Sequence, residues 1–410
     1  MKAYKYLMMC IMAASVAMYG CSSDEPRDES PHSRMELTAD QETISESEVS
    51  MAFTFFEEIY DKSNVGDNVL SSPLSKDLCL ALVTNAVAEQ DRTSLLGAYG
   101  APTAYVLNEF NNSRMKYFTY NSSKAKVYFA NSFWANSPMM TNQDEFNAMT
   151  AVQKKYYDAE VRIMDFGKDD VKDAINNWCS DKTKGLISEF LKEEPASIMQ
   201  FMAINALYFN CSWADEFKKS ATKTMPFYAS DGVAKLMDIP MMCSRRDVVA
   251  VMNDRYSAFQ LPYASCNYSA VFVLPEKGLT IKDIIGDVKT MMTTRALDEI
   301  KPDEYDIKVP RFECESSYDI TDAVRKTGIN FDCKKLLGFG PVKTTQSLQA
   351  VNLRVDEQGT TMAAVTSTGM VGSLPKDPKE IALNRPFLII VKDDNHGSIL
   401  LMAAIQMPQE

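Results

Sequence analysis

The chain has 410 residues, of which 46% are hydrophobic and 24% are charged, an ordinary globular composition that excludes a mostly disordered, collagen-like or coiled-coil protein. Its formal net charge of −12 makes nucleic acid an unfavourable partner. Only two histidines occur, His32 and His396, so a Ser–His triad or a histidine-rich zinc site has to use one or both of them. Beyond the N-terminus no window of about 18 apolar residues occurs, so no internal membrane span is predicted.

The first 20 residues have the pattern of an export signal, with Lys2 and Lys5 ahead of an apolar run over residues 6–19. The run ends in Gly20 and Cys21, and a small residue followed by Cys resembles a bacterial lipobox, in which the Cys thiol carries the lipid. The acidic residues that follow resemble the surface-export signal of Bacteroidetes lipoproteins. We therefore expect residues 1–20 to be a signal peptide, Cys21 to be lipidated, and the protein to be an outer-membrane lipoprotein exposed at the cell surface. An ordinary signal peptide or a short membrane anchor is the alternative.

An acidic stretch follows the leader. Residues 22–50 carry nine acidic and two basic side chains, and this composition predicts a solvated tether, which we place at residues 21–47 together with the lipidated Cys. Ser45 and Glu48 form a capping-box pattern that predicts the start of a helix. No later linker divides the chain, so residues 48–410 are predicted to form one domain.

The two histidines and the cysteines are predicted to have structural roles. His32 lies in the predicted tether and is expected to be inert, whereas His396 lies between two predicted strands and is expected to be a turn residue. No C-x-x-C motif occurs, so a zinc ribbon or a redox motif is unfavoured. Seven cysteines fall in the body, and we expect them to be mostly buried as small apolar side chains. They are Cys79, Cys179, Cys211, Cys243, Cys266, Cys314 and Cys333.

Periodicity predicts a mixed domain. Helices are predicted over residues 77–88 and 171–178, and in the second helix Val171, Ile175 and Trp178 share one face. Because the predicted helices come mostly early and the strands mostly late, the pattern favours an α+β fold over a βαβ repeat. The predicted strands cover residues 126–133, 203–209, 270–274, 305–309, 387–391 and 399–405.

The segment over residues 355–380 is unusual. Residues 360–368 are small or β-branched, and alternate residues from Thr360 to Thr368 would lie on one face of a strand. Residues 369–378 contain two Gly and two Pro and do not fit any regular element. A strand-forming segment that leads into an exposed loop is what the insertion of a loop into a sheet requires.

Several blocks in one order resemble the serpin family of protease inhibitors, and the resemblance covers roughly residues 48–410. Each block alone is weak, but together they are specific. The blocks are NVLSSPLS at 68–75, INNW at 175–178, TKGLI at 183–187, NALYFNCSW at 205–213, KVPRF at 308–312, DEQGT at 356–360 and IALNRPFLIIV at 381–391.

The resemblance implies a single α+β domain with three β-sheets, eight to nine helices and an exposed reactive-centre loop at about residues 357–378. It implies no catalytic residue, cofactor or metal. The implied activity is irreversible inhibition of serine endopeptidases, with cysteine endopeptidases as a second class, by acyl-enzyme trapping and loop insertion. The implied partner is one target protease in a covalent 1:1 complex with a monomeric inhibitor. From the leader pattern we expect contact with the membrane only through the N-terminal lipid. Leader and body together resemble bacterial lipoprotein serpins of the miropin type.

The resemblance also assigns the hinge and the reactive bond. Counting the usual distance from Glu357 places the scissile bond at Ser373-Leu374, whereas counting back from Asn384 places it near Pro375, so the register stays open. Small or apolar residues before the bond suit elastase-, chymotrypsin- or subtilisin-like proteases, and Lys376 ranks lower because Pro375 precedes it. The hinge comprises Glu357, Gly359, Thr360, Met362, Ala363 and Ala364. The reactive-site candidates are Met370, Val371, Ser373, Leu374 and Lys376.

Two departures from the family pattern matter. Met362 occurs where inhibitory members usually have Ala, and overpacking a buried face costs about 1–3 kcal/mol. Gln349 replaces the histidine that many members use in a buried network, but its amide can still donate and accept. The residues that the resemblance places beneath and at the end of the main sheet are Ser72, Ser75, Asn205, Trp213 and Gln349.

Two other functions compete with this prediction. A penicillin-binding or β-lactamase site would use Ser123 and Lys126 as S-x-x-K and residues 326–328 as K-T-G, but Ser123 leads into a predicted strand rather than a helix, and no S-D-N triplet lies between them. The stronger rival is a non-inhibitory serpin that acts as a binding protein or as a protease substrate, and Met362 is the residue that favours it.

Overall fold

A computed structural model of the chain describes residues 32–329, 334–341, 347–360 and 379–409. Within these ranges the expected α+β class is confirmed, with eight α-helices and three β-sheets. In the same ranges, no helix has the length and apolar character needed to cross a membrane. The helices are α1 (Ala39–Lys62), α2 (Pro73–Ala86), α3 (Thr93–Tyr99), α4 (Ala104–Phe118), α5 (Gln143–Tyr157), α6 (Val171–Lys182), α7 (Ile281–Thr293) and α8 (Thr321–Lys326).

The strands form one nine-stranded, one seven-stranded and one two-stranded sheet. They are β1 (Val69–Ser71), β2 (Tyr120–Asn121), β3 (Ala125–Asn136), β4 (Glu160–Met164), β5 (Phe201–Ser212), β6 (Lys223–Tyr228), β7 (Lys235–Met252), β8 (Tyr256–Pro262), β9 (Tyr268–Pro275), β10 (Asp303–Pro310), β11 (Phe312–Asp319), β12 (Lys335–Leu336), β13 (Gly340–Pro341), β14 (Leu348–Val355), β15 (Gly359–Thr360), β16 (Lys379–Ala382), β17 (Phe387–Asp393) and β18 (Ile399–Ile405).

The strand order separates the sheets clearly. The nine-stranded sheet runs β1-β18-β17-β9-β8-β7-β10-β16, with β6 beside β7. The seven-stranded sheet runs β11-β14-β15-β5-β3-β2, with β4 beside β3, and β12 pairs with β13. The pairs β10–β16 and β3–β4 are parallel, and the other strand pairs are antiparallel.

The centre of the nine-stranded sheet forms the core. Every residue of β9, β17 and β18 is buried, because both faces of these strands are covered. Such strands read as continuous apolar runs, which is why the sequence located them. Helix α1 adds Phe53 and Phe56 to the same core.

The seven-stranded sheet is covered on both faces. On one face, Ile204 and Ala206 of β5 pack with Val171, Ile175 and Trp178 of α6, so the predicted shared face of that helix is confirmed. On the other face, β5 contributes to the main core and contacts α2. The sheet therefore lies between α6 and the rest of the domain.

The start of the first helix differs from the prediction. Thr38, not Ser45, is the N-cap, and it forms a capping box with Gln41, so residues 39–47 belong to α1 rather than to a tether. Ser45 is buried in the second turn. The pattern at Ser45 and Glu48 predicts the wrong start because the acidic composition of the preceding residues indicates solvent, whereas the helix begins two turns earlier.

Both histidines hold the segment that precedes α1. The His32 ring stacks on Tyr120 with ring centroids 4.4 Å apart, and its Nδ1 lies 2.7 Å from the Tyr117 carbonyl oxygen. The expectation that His32 is inert in a tether is therefore wrong. His396 lies in the β17–β18 turn, as predicted, but its Nε2 also donates to the Met35 carbonyl oxygen at 2.8 Å.

A buried ionic cluster joins the first four helices. Arg114 of α4 pairs with Glu48 of α1, and Lys76 Nζ lies 2.6 Å from Asp77 Oδ1 on α2. The Tyr99 hydroxyl of α3 donates to Asp77 at 3.0 Å. Burial outweighs the attraction of Arg114 and raises the pKa of Glu48 to about 7.

We expect Glu48 to make stability depend on pH. Its folded-state pKa lies above its unfolded value, so the folded state binds the extra proton, and the free energy of unfolding falls as pH rises from about 4.5 to 7. The contribution is at most about 3 kcal/mol. Urea unfolding at several pH values should show that Glu48→Gln removes this part of the slope, whereas Glu46→Gln, on the exposed face of the same helix, leaves it unchanged. An identical slope in wild type and Glu48→Gln would contradict the assignment.

Candidate functional site

A strand-wide slot lies between β5 and β14 in the seven-stranded sheet. At one end the two residues of β15 occupy it, and they pair with β14 through Val355 and with β5 through Cys211 and Ser212. Among the residues the structure describes, no backbone pairing joins β5 directly to β14. Because neighbouring strands lie about 4.8 Å apart, strands that accept a third strand between them are about 10 Å apart.

Two cavities continue the slot beyond β15. The larger has a volume of about 120 Å³ and lies between residues 201–205 of β5 and residues 348–350 of β14, beside α2. A smaller one of about 20 Å³ lies between Leu207 and Phe209 of β5 and residues 350–352 of β14. The line of β15 is thus prolonged by unfilled space along the two strands.

Gly359 fits the entrance of the slot because it has no side chain. A Cβ at this position would lie 2.1 Å from the Cys211 carbonyl oxygen, a distance that no side chain tolerates. The following residue, Thr360, is 1% exposed, and its hydroxyl lies 2.7 Å from the Tyr263 hydroxyl. Burial raises the pKa of Tyr263 well above its ordinary value, so the phenol stays protonated in this contact.

Trp213 closes the same end. Its indole stacks on Tyr263 with ring centroids 4.6 Å apart, and its Nε1 donates to the Asp356 carbonyl oxygen at 3.0 Å. Its backbone N–H donates to the Gln358 carbonyl oxygen at 2.8 Å. Trp213 therefore fixes the turn that leads from β14 into β15.

Glu357 is held by residues of the loops around Phe217, Thr222 and Arg311. Its side chain accepts from the Thr222 hydroxyl at 2.7 Å and lies 3.6 Å from Arg311. Its backbone carbonyl accepts from the Phe217 N–H at 2.8 Å. The carboxylate is buried but compensated, which anchors the hinge turn in one position.

A polar network lies at the middle of the slot, below the sheet. Gln349 of β14 accepts from the Ser72 N–H at 3.0 Å and donates to the Ser72 carbonyl oxygen at 2.9 Å. Ser72 caps α2, and its hydroxyl donates to the Leu400 carbonyl oxygen. The Ser75 hydroxyl donates to the carbonyl oxygen of Asn205 on β5 at 3.3 Å. The N-terminus of α2 thus joins the two sides of the slot.

Asn205 has one acceptor that is not used. Its Nδ2 donates to Asn131 Oδ1 on β3 at 2.9 Å, while its own Oδ1 is buried without a hydrogen-bond partner among the described residues. A buried acceptor without a partner costs about 1–3 kcal/mol. The network is therefore complete on the side of β14 and incomplete on the side of β5.

Helix α6 and the segment after it cover the outer face of the slot. Phe190 and Ile187 line the two cavities. The Asn176 side chain accepts from the N–H groups of Phe190 and Leu191 and donates to the Leu191 carbonyl oxygen. This amide fastens the cover to α6.

The structure brings together the predicted residues at the entrance and in the middle of the slot. Ser72, Ser75, Asn205 and Gln349 form one network, and Glu357, Gly359, Thr360 and Trp213 form the entrance, as described above. The remaining predicted site residues lie outside the described ranges. They are Cys21, Met362, Ala363, Ala364, Met370, Val371, Ser373, Leu374 and Lys376.

Sequence reasoning missed Tyr263, Thr222 and Arg311. Tyr263 meets Thr360 across 97 positions of sequence, and Thr222 meets Glu357 across 135. No local pattern marks such partners, although Arg311 lies inside the KVPRF block. The structure also argues against the penicillin-binding or β-lactamase site. Lys126 lies within β3, so Ser123 and Lys126 do not open a helix as the S-x-x-K motif requires. In the part of the chain that is described, no cluster of three potential metal ligands occurs.

Comparison with known proteins gives a consistent result. Residues 46–408 match the family model described as "Serpin (serine protease inhibitor)". The chain is 25% identical over 365 residues to an uncharacterized serpin-like protein of Methanosarcina mazei, covering 84% of this chain and 82% of that protein. It is 25% identical over 411 residues to Serpin A3-6 of Bos taurus, covering 94% of each.

Solved structures share the fold. Human thyroxine-binding globulin complexed with thyroxine gives a TM-score of 0.79 at 19% identity and covers 91% of this chain and 100% of that one. The thermophilic serpin tengpin in its native state gives 0.77 at 21% identity, with 92% and 97% covered. At these identities the likeness concerns the fold alone.

We expect Gly359→Ala to destabilise the slot entrance. The added methyl group meets a backbone oxygen that cannot rotate away, so the pairing of β15 must shift, at a cost of about 1–3 kcal/mol. Gly286→Ala is the matched control, since Gly286 lies in α7 and the added Cβ would meet nothing within 4 Å beyond its chain neighbours and the backbone of its own helix. Thermal unfolding should show a lower midpoint for the first variant and an unchanged or higher midpoint for the second. Equal midpoints for the two variants would contradict the close approach.

Proposed function

The chain belongs to the serpin family, and from this premise we propose that it is an irreversible inhibitor of serine endopeptidases that traps the acyl-enzyme by inserting its cleaved loop into the slot. Serpins in general are inhibitors rather than catalysts. The observation that carries the proposal is the slot between β5 and β14, already entered by Gly359 and Thr360.

The register of β15 predicts where the loop would lie after insertion. Thr360 pairs with Cys211 in antiparallel sense, so continuing the same register places residues 361–370 opposite residues 210–201 of β5. This uses the full length of β5, which begins at Phe201. A bond at Ser373-Leu374 then lies just beyond the last paired residue.

The same register supplies a partner for Asn205. Paired residues in an antiparallel sheet point to the same face, so residue 366 would stand opposite Asn205. That residue is Thr366, whose hydroxyl can donate to the unused Asn205 oxygen. Insertion would thus complete the network that is incomplete in the described structure.

The chemistry of trapping can be stated in steps. The protease serine attacks the Ser373 carbonyl carbon, the Ser373-Leu374 bond breaks, and Leu374 leaves as a free amine while the ester remains. The inserted segment then carries the bound protease along the sheet. Deacylation needs catalytic groups placed to about 1 Å, so distortion of the protease active site leaves the ester intact.

The finer assignments are part of the same proposal. Small and apolar candidates before the bond favour elastase-, chymotrypsin- or subtilisin-like targets, with cysteine endopeptidases as a second class. The leader pattern supports a bacterial lipoprotein of the miropin type, anchored at Cys21 to the outer membrane and exposed at the cell surface. A monomer that forms 1:1 covalent complexes fits a single slot per chain.

A second candidate function rests on Met362. In the inserted register Met362 lies opposite Phe209 on one side and Leu353 on the other, both on the face that points to the core. A long side chain there slows insertion, and slow insertion lets the protease hydrolyse the ester and escape. The chain would then act as a protease substrate or as a non-inhibitory binding protein.

The first test uses residues 22–410 mixed with elastase, chymotrypsin, trypsin, subtilisin and a papain-like protease. We expect a band stable in denaturing gels at the summed mass less a C-terminal peptide. Cleavage after Ser373 releases residues 374–410, so intact mass spectrometry of the peptide identifies the bond. Thr360→Arg is the control, because it places a charge in the buried entrance and should convert trapping into cleavage. Complete cleavage of the wild-type chain by proteases that stay active would overturn inhibition.

A second test addresses the hinge. We expect Met362→Ala to raise the fraction of encounters that end in a trapped complex, since the smaller side chain enters the core face without overpacking. Titration of a trapped protease to zero activity gives the number of inhibitor molecules used per protease. Met252→Ala, at a half-exposed site on β7 away from the slot, serves as the matched control. An unchanged or lower trapped fraction for Met362→Ala would show that this residue does not limit insertion.

A further inference from the structure

Two buried cysteines meet at the entrance of the slot. Cys211 and Cys266 are 0% and 7% exposed and belong to the same hydrophobic cluster, and after burial itself the neighbouring Cys266 thiol is the next cause that raises the pKa of Cys211. Cys211 is the residue of β5 that pairs with Thr360, and Cys266 lies in the turn between β8 and β9. Both are free thiols in this structure.

Backbone contacts fix these two thiols next to each other. The Ala264 N–H donates to the Ser212 carbonyl oxygen at 2.8 Å, and Trp213 forms a bridge with Tyr263. The end of β5 and the β8–β9 turn therefore run antiparallel, and this register places residue 211 opposite residue 265, directly beside Cys266. The indole of Trp213 and the ring of Tyr263 stack beside them. The meeting of the thiols is thus imposed by the register of two chain segments.

We propose that Cys211 and Cys266 form a disulfide that cross-links β5 to the β8–β9 turn at the entrance of the slot. A low-molecular-weight disulfide such as oxidised glutathione is the oxidant. One thiolate attacks it and releases one reduced glutathione; the second protein thiolate then attacks the mixed disulfide and releases another. Two protein thiols are oxidised, one glutathione disulfide is reduced, and the two protons pass to the glutathione thiolates.

The environment determines when this reaction occurs. Burial raises the pKa of the Cys211 thiol, so in the folded chain little thiolate forms and exchange is slow. Oxidation therefore takes place while the chain folds or during transient opening of the turn. Export to the cell envelope, as proposed above, provides the oxidising surroundings in which disulfides persist.

The cross-link would act on the slot because it connects its two sides. The β11–β14 side contacts β1 of the nine-stranded sheet, and β8 and β9 belong to that same sheet. The β5 side approaches it at the β8–β9 turn. A disulfide from β5 to this turn resists the movement of β5 away from β14, so the oxidised form should insert its loop more slowly. This consequence rests on the proposed inhibition of proteases, whereas the disulfide itself rests only on the proposed export.

The test begins with the full chain isolated from an exported preparation and, separately, from a reduced cytoplasmic one. Free thiols are alkylated with iodoacetamide under denaturing conditions, and peptides are mapped by mass spectrometry with and without reduction. The exported form should yield a linked peptide pair containing Cys211 and Cys266, and reduction of that same form before alkylation should raise its mass by about 2 Da. Its thermal midpoint should exceed that of the reduced form by several degrees, since a cross-link restricts the unfolded chain.

Matched variants separate the possible results. Cys266→Ser should leave Cys211 open to alkylation and abolish the difference in midpoint, whereas Cys243→Ser, at a half-buried cysteine of β7, should leave both results unchanged. Where a protease is trapped, the oxidised form should trap it several-fold more slowly. If neither form traps a protease, the proposed inhibition fails, while the mapping still decides the disulfide. Alkylation of both cysteines in the exported form, or their linkage to other residues, overturns the proposal.

Discussion

The seven-stranded sheet is arranged around one strand position that is filled only at its entrance. Two neighbouring strands, β5 and β14, are held a strand's width apart and are joined by the two residues of β15. Trp213, Tyr263 and Glu357 hold that entrance, α2 supports the middle, and α6 covers the outer face. A sheet with such a position can accept a further segment without rebuilding its other strands, since each side already presents the edge of a strand.

The hydrogen-bonding groups on the two sides of this strand position are not equally satisfied. The network amide on the β14 side both donates and accepts, whereas the one on the β5 side keeps an unused acceptor. Gln349 bonds both backbone groups of Ser72, so the β14 side is firmly attached to the domain. Asn205 on the opposite side keeps an unused buried oxygen. Because an unpaired polar group is costly in the low-dielectric interior, an arrangement that supplies a donor to this oxygen would be favoured. The amide of Gln349 supplies both the donor and the acceptor that this attachment needs.

Much of this could be predicted from the sequence, for reasons that differ between elements. The continuous apolar runs of β9, β17 and β18 are unambiguous because both faces are buried. Gly359 and Trp213 stood out through their sequence blocks. Tyr263 did not, because a tyrosine beside a turn carries no mark of a contact almost 100 residues away. The predicted start of α1 was wrong for the opposite reason. The local acidic composition indicated exposure to solvent, whereas the cap formed by Thr38 and the contacts of His32 fix this segment to the domain. The composition of a segment indicates only how polar it is on average, and a few specific contacts are enough to hold a polar segment against the domain.

The two histidine contacts also limit how far the domain can stand from a surface. With His32 bound beside Tyr117 and Tyr120, only the residues between Cys21 and His32 remain to connect the domain to a lipid anchored as proposed. A chain of about ten residues spans at most roughly 35 Å when fully extended. The length of this connecting segment is comparable to the diameter of a small protease. An anchored molecule would therefore meet proteases close to the bilayer, and its orientation, rather than the length of its tether, would decide which of them reach the loop.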